Sequence, residues 1–245
     1  MPSVAFHRVV LKLSGEALAG EDRMGLDFAR ARHLAQELGE LRLLGTQMAL
    51  VIGGGNICRG REAAAQGVVQ AEADRMGMLA TILNAMTLAA LFEAEGVPAR
   101  VLSAVPVPGI VEGWTRERAL AVLAAGEFVI AAGGIGQPFF STDTTAALRA
   151  VELSAELLLK GTQVDGVYTA DPREDPSAER LPRLSYDEVL ARKLRIMDAT
   201  AFALCRDHAV PIRIFNFSEP GALKRILLGE DLGSQVVKEE DRDDR

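Results

Sequence analysis

Two lysines close apolar runs in this chain, Val9-Val10-Leu11-Lys12 and Leu157-Leu158-Leu159-Lys160. A cation at the carboxyl end of a buried strand stands where open α/β sheets hold their ligands. The plain alternative is a surface lysine reaching out from the strand end. A third apolar run, Met48-Ala49-Leu50-Val51-Ile52, empties into Gly53-Gly54-Gly55, and a fourth ends in Gly133-Gly134-Ile135-Gly136. Loops without Cβ atoms let backbone N–H groups come close to a charged ligand. The hydroxyls and acid of Ser141-Thr142-Asp143 open a helix directly after the second glycine loop, an anion site on physical grounds. With Arg59 added, these strand exits predict one shared site whose chemistry is phosphoryl transfer: fixed cations and backbone N–H groups offset the repulsion between two phosphorylated ligands. The acceptor is left open by these residues. A Cβ added at Gly54 or Gly55 is expected to impair turnover more than folding.

The elements that must carry them alternate. A strand over 9–11 leads through a polar loop, 19–25, to a helix capped by Asp27, with Leu34, Leu38 and Leu41 at helical spacing and Gly45 as its stop. The triglycine strand follows, then a long helix from Glu72 to Glu95 with Met76, Leu79, Ile82, Leu83, Met86 and Leu91 as its apolar face. Asp74 falls in its first turn, where a capping role is the bland reading. Strands at 97–102 and 127–132 flank a short helix at 115–123. After the strand ending in Lys160, Gln163-Val164-Asp165-Gly166-Val167-Tyr168 reads as a hairpin turning at Asp-Gly. A loop covers 170–182. Ser185 and Glu188 form a capping box, Asp198 precedes another helix, and 211–217 is a strand followed by a helix closed at Gly229. Alternating strands and helices up to Ala150 imply a mainly parallel sheet with helices on both faces. No linker divides the chain, so 1–237 reads as one α/β domain and 238–245 as a charged, disordered tail.

The totals narrow the classes. The chain has 245 residues, 49% hydrophobic and 25% charged, with net charge −7 and pI near 5.1. An acidic balance argues against nucleic acid as the main ligand. Cys58 and Cys205 make no disulfide framework, and the start carries no signal-peptide pattern, so a reduced, cytoplasmic protein is expected. No apolar run reaches the about 20 residues of a membrane span. His7 and His33 read as surface residues and His208 as a helix end, none near the glycine loops.

Two phosphate motifs are excluded. No G-x-x-x-x-G-K-[ST] occurs. The dinucleotide fingerprint fails because Cys58 stands where a third glycine belongs and Asp74 opens a helix instead of ending a strand.

Six ordered motifs carry a resemblance over about residues 8–237. They are Val10-Leu11-Lys12-Leu13-Ser14-Gly15-Glu16-Ala17-Leu18, Val51-Ile52-Gly53-Gly54-Gly55-Asn56, Asp74-Arg75-Met76-Gly77-Met78-Leu79-Ala80-Thr81, Pro138-Phe139-Phe140-Ser141-Thr142-Asp143, Val164-Asp165-Gly166-Val167-Tyr168-Thr169-Ala170-Asp171-Pro172 and Pro211-Ile212-Arg213-Ile214-Phe215-Asn216. In these the chain resembles the bacterial uridylate (UMP) kinases of the amino-acid kinase superfamily. The resemblance implies a three-layer α/β/α sandwich with an N-terminal half mainly on the UMP side and a C-terminal half mainly on the ATP side. It implies transfer of the γ-phosphoryl group of ATP to UMP, in pyrimidine nucleotide (UTP/CTP) biosynthesis. It assigns Lys12, Leu13, Ser14, Gly15, Gly55, Arg59, Thr162, Tyr168 and Asp171 to ATP. Gly54, Asp74, Ile135, Gly136, Gln137, Pro138, Phe139, Phe140, Ser141 and Thr142 go to UMP. Lys12, Arg59, Asp143, Lys160 and Asp198 are the catalytic set, with Asp198 orienting the two lysines. Gly20, Glu21, Asp22, Arg23, Met24 and Gly25 correspond to the segment tied to activation by GTP. A homohexamer, inhibition by UTP, and Mg²⁺ held mainly by the nucleotide phosphates, with no protein metal site, complete what the resemblance implies.

The sequence departs from the family at two places, with Ile135 where Thr is common and Gln137 where Asn is common. Ile135 has no side-chain donor to discriminate uracil from cytosine. Two other readings stay open: an acyl-phosphate-forming kinase of the same fold acting on a carboxylate such as glutamate, and a non-catalytic nucleotide sensor.

Overall fold

A computed structural model describes residues 4–170, 175, 177–192, 194 and 196–239. In chain order, β1 (Arg8–Leu13) passes through a 3-10 turn (Gly15–Leu18) to α1 (Phe28–Arg42), β2 (Gln47–Ile52), α2 (Gly60–Ala65) and α3 (Gln70–Ala94). β3 (Ala99–Ser103), β4 (Glu112–Gly113), α4 (Arg116–Ala124), β5 (Phe128–Ala132), α5 (Thr142–Glu152) and β6 (Leu157–Thr162) follow. Then come β7 (Val167–Tyr168), β8 (Arg180–Leu181), β9 (Arg183–Ser185), α6 (Tyr186–Ala191), α7 (Ala199–Asp207), β10 (Ile212–Asn216), α8 (Ala222–Leu227) and β11 (Ser234–Val237).

Nine strands form one sheet in the order β4-β3-β5-β2-β1-β6-β10-β11-β9. Its neighbours pair in parallel except β10 with β11. Side-chain alternation along the strands sets the layers. Val9, Leu11 and Leu13 of β1 pack with Leu34 and Leu38 of α1, Leu88 of α3 and Ile226 of α8. Val10, one residue out of phase, joins the opposite core with Val122 of α4, Ala146 of α5, Val189 of α6 and Phe202 of α7. The result is helix, sheet, helix, the α/β/α architecture the sequence implied.

Local signals explain most boundaries. Asp27 accepts from the amides of Ala29 and Arg30, Ser141 from Asp143 and Thr144, and Ser185 with Glu188 closes the capping box. His208 is the C-cap of α7.

Three expectations are corrected. First, α3 begins at Gln70, so Asp74 lies past its first turn and caps nothing. Second, its buried face is Ala73, Thr81, Asn84, Ala85, Leu88 and Phe92 among others, while Met76, Leu79, Leu83 and Met86 are 47%, 53%, 51% and 37% exposed. A helix apolar on nearly every side gives no moment to tell core from surface. It also holds a window as apolar as a membrane span, half of it buried inside the fold, against the expectation that no such run exists. Third, Asp165-Gly166 does not turn a hairpin within 163–168. β7 pairs with β8, Val167 opposite Leu181 and Tyr168 opposite Arg180, because the partner strand comes from across the 170–179 connection.

Candidate active site

β1 and β6 are neighbours, and their register sets Lys12 directly beside Lys160. Val10 and Leu158, two residues earlier in each strand, lie in the α5–α7 core, so alternation turns both lysines toward that layer. There the first turn of α5 places Asp143 between them. Its Oδ1 lies 3.0 Å from Lys12 Nζ and its Oδ2 2.7 Å from Lys160 Nζ, with all three side chains only 12–14% exposed. Burial works against ionising Asp143, but the two ammonium groups outweigh it and hold the carboxyl below the usual carboxylate range. For Lys160 burial dominates, and its pKa falls below the ordinary lysine value although Asp143 pulls the other way. Lys160 also donates to the Ile196 carbonyl.

The residue that holds both lysines is therefore Asp143, where the sequence reading gave that part to Asp198. Asp198 makes no ion pair with either lysine among the described residues. It accepts from Ser141 Oγ and from Thr144 Oγ1 at 2.8 and 3.0 Å, and caps α7 through Ala201 N at 3.0 Å. It thus fastens the N-terminus of α5, and through it Asp143.

Next to Asp143 in sequence, Ser141 and Thr142 line a cavity of about 130 Å³ together with Gly54, Gly55, Asp74, Gln137 and Phe140. Most of the residues that the resemblance gave to the acceptor meet here. Ile135, Gly136, Pro138 and Phe139 shape the loop without lining the cavity. Asp74 accepts from the Phe139 amide at 2.8 Å and from Gln70 Nε2 at 2.7 Å. It thereby latches α3 to the loop at a residue whose φ of +72° costs a bulky side chain about 1–2 kcal/mol. Thr81 Oγ1 accepts from Gly133 N at 2.9 Å. Arg149, buried 4.0 Å over the Trp114 ring, donates to the Gly134 carbonyl at 3.2 Å and to Glu152 at 2.7 Å. Cys58 and Thr81 also line the cavity and, like Arg149, were not assigned a role from the sequence.

In the triglycine loop Gly53 N donates to Leu13 O, and the turn closes by Ile57 and Cys58 amides donating to Gly54 O. The N–H groups of Gly54 and Gly55 have no acceptor among the described residues. Arg59 lies along this loop without lining the cavity: Nε donates to Gly55 O at 3.1 Å, and its other nitrogens stand 3.0 Å from Glu62 and 3.4 Å from Glu16.

A larger cavity, about 410 Å³, opens on the other side of the β1 exit. Leu13, Ser14 and Thr162 line it as the donor-side reading expects, with Phe217 and Pro220 after β10 and Arg30, His33 and Glu37 from α1. The last five were missed. Phe217 follows a strand that ends beside β6, a signal sequence order alone does not give. Arg30, His33 and Glu37 recur at helical spacing along α1, which also revises the placement of His33 away from the site. Burial pushes the Glu37 carboxyl above its usual range, with His33 acting in the opposite sense. Tyr168 is turned to Asp165, donating to its carboxylate at 2.6 Å. Asp171 lies outside the described residues. In the 20–25 turn, Gly25 bonds to Asn56 of the triglycine loop.

Among the described residues no three of His, Cys, Asp and Glu converge on a point that could hold a metal. Asp143 is already matched by two ammonium groups, so these side chains do not fit a protein-held cation.

A largely buried carboxylate between two strand-end lysines, flanked by glycine loops on a mainly parallel sheet covered on both faces, has the charges and backbone donors that suit phosphate groups. Residues 7–216 match the amino acid kinase family, and the chain belongs to that family. Over nearly its whole length it is similar to two solved structures. The crystal structure of UMP kinase from Bacillus anthracis is 38% identical over 96% of this chain and 97% of that one, with a TM-score of 0.91. The crystal structure of UMP kinase from Ureaplasma parvum is 32% identical over 95% of this chain and 99% of that one, with a TM-score of 0.89.

Proposed function

We propose that this chain is a UMP kinase, converting ATP and UMP to ADP and UDP. The observation that carries the reading is the match to UMP kinases at both ends and throughout, with 96% of this chain covered at 38% identity. The site geometry fits it. The acceptor loop and Asp74 hold UMP in the smaller cavity, and the ATP phosphates lie along residues 12–15 with the adenosine in the larger one. A UMP phosphate oxygen attacks the γ-phosphorus as the bond to the β–γ bridging oxygen breaks, and ADP leaves with that oxygen's electrons. The second pKa of a phosphate monoester is about 6, so the nucleophile is already ionised at neutral pH and needs no general base. What remains is positioning and charge neutralisation, the part of Lys12 and Lys160. Mg²⁺ would be held by the ATP phosphates and would neutralise part of their charge.

Steady-state phosphorylation of UMP, CMP and glutamate side by side, with and without GTP or UTP, tests the reading. UDP formation is expected. ADP release with glutamate alone would assign an acyl-phosphate kinase, and binding of both nucleotides without turnover would assign a sensor. Because Ile135 offers no side-chain donor, preference for UMP over CMP rests on backbone and neighbouring groups of the loop. Asp74→Asn is expected to raise the KM for UMP about tenfold, the scale of one charge-assisted hydrogen bond, while the KM for ATP stays put; an equal rise in both would remove Asp74 from the acceptor side.

Activation by GTP through residues 20–25, inhibition by UTP, a cytoplasmic setting and a homohexamer belong to the same reading. Assembly is supported by α3, whose exposed Met76, Leu79, Leu83 and Met86 follow a three-four-three spacing that makes one apolar stripe. Leu83→Glu is expected to lower the assembly state in sedimentation; an unchanged sedimentation coefficient would exclude this stripe as an interface.

A further inference from the structure

Asn56 and Asn84 are both fully buried, and their amides face each other. Asn84 Nδ2 donates to Asn56 Oδ1 at 2.7 Å, and Asn56 Nδ2 donates to Asn84 Oδ1 at 3.1 Å. Each uses its remaining N–H on a different segment: Asn84 donates to Gly53 O at 2.7 Å and Asn56 to Gly25 O at 2.8 Å. Gly25 returns the bond, its N–H donating to Asn56 O at 2.6 Å. Asn56 Oδ1 also abuts Gly15, where a Cβ would come within 2.3 Å of it and within 2.5 Å of Gly53 O. One amide pair thus touches the β1 exit, the β2 exit, the 20–25 turn and α3.

A pair of leucines would fill this space without the desolvation cost of two amides. What the amides add is direction: a fully satisfied buried network admits one arrangement of its members. We propose that the Asn56–Asn84 pair is a positioning device. It fixes the separation of the two phosphate loops, 12–15 and 53–55, and ties the 20–25 turn to both. The inference rests on the kinase reading for its effect on turnover, but its structural half can be tested without it.

Asn84→Asp keeps the shape and the acceptor for Asn56 Nδ2 but removes both donated bonds. In the folded variant kcat is expected to fall about 100-fold, the cost of a displacement near 1 Å, with both KM values changed by less than about threefold. Amide exchange should quicken at Gly25 and across 53–58 and stay unchanged in β10. A kcat within about twofold of the parent in a cooperatively melting variant, or exchange quickened evenly across the sheet, would overturn the proposal. If the variant does not fold, the parent chain decides: the Gly25 amide should exchange about 100-fold more slowly than those of Glu21 and Asp22, and an unprotected Gly25 would overturn it. Absence of UDP formation by the parent chain would sink the kinase reading alone, since the exchange pattern still tests the clamp.

Discussion

Asp143→Asn is expected to lower kcat by about 10²- to 10³-fold, the scale seen when one preorganised charge contact to a transition state is lost. The side chains are isosteric, so the change is one of charge and valence. An amide can offer its oxygen to only one of the two ammonium groups, and its NH₂ then faces the other. Lys12 and Lys160 sit side by side in register, so without the carboxylate they repel each other in a site that is largely closed to water. Asp143 is the strongest influence raising the pKa of Lys160, opposed by burial and by Lys12. Removing it leaves both opposing influences in place. The pKa of Lys160 must then fall further, and the alkaline limb of kcat against pH moves to lower pH. The parent's stability carries the complementary sign. Because the folded pKa of Asp143 lies below its ordinary 3.8, its contribution is present above that pH and lost as the pH drops through the folded value. The variant should lack that acid-side loss. A kcat reduced by less than about tenfold with an unmoved alkaline limb would mean the lysines do not need the carboxylate.

How far this site was legible depended on sequence distance. Lys12 and Lys160 were visible because each ends an apolar run, and a strand's end is a local property. Their adjacency was not, since it needs β1 and β6 to be neighbours in the sheet although more than half of the chain lies between them. Asp143 was visible as a first-turn acid of α5 and, through the resemblance, as a catalytic residue, but not as the partner of both lysines. Asp198 and Asp143 both sit at helix starts, so the chain order gave no reason to prefer either as partner of the lysines. The packing of α5 over β1 decides it.

The fold was read well wherever the signal was local. Apolar strand runs and the capping residues Asp27, Ser141, Ser185 and Asp198 located their elements because these signals act within a few residues. Helix α3 was read from its apolar spacing, which took in Ile82 and Leu91 of the core but also Met76, Leu79, Leu83 and Met86 of the exposed side, since all are alike in apolarity. The buried face also carries small residues, Ala73, Ala80 and Ala85, which a count of large apolar side chains passes over. The Asp165-Gly166 turn failed for a different reason. Gly166 is small because a Cβ there would meet Ser234 Oγ at 2.5 Å, a close approach that resembles turn chemistry in a sequence.

Closeness also separates the two adjacent glycines of the central loop, against the expectation that a Cβ at either impairs turnover more than folding. A Cβ at Gly54 would lie 2.7 Å from Gly77 O, 2.8 Å from Ala80 Cβ and 3.1 Å from Thr81 N. Two of these are backbone atoms of α3 and cannot step aside, so Gly54→Ala should destabilise the fold by about 2–3 kcal/mol through overpacking. At Gly55 the nearest atom is Arg59 Cγ at 3.9 Å, ordinary contact distance. Gly55→Ala should therefore melt close to the parent. Yet Gly55 lines the cavity with Asp74 and Ser141, and on the proposed kinase reading a methyl group there crowds the approach of phosphates to the free N–H groups. There kcat/KM is expected to fall about 10- to 100-fold, one to two hydrogen-bond equivalents of lost approach. Thermal melting and steady-state kinetics on the two variants separate the roles. Full activity in Gly55→Ala would show that the phosphates do not use this turn, and an unshifted Tm in Gly54→Ala would show that α3 can yield. If both results come out as expected, the loop divides its work between neighbours: Gly54 lets the helix in, and Gly55 lets the ligand in.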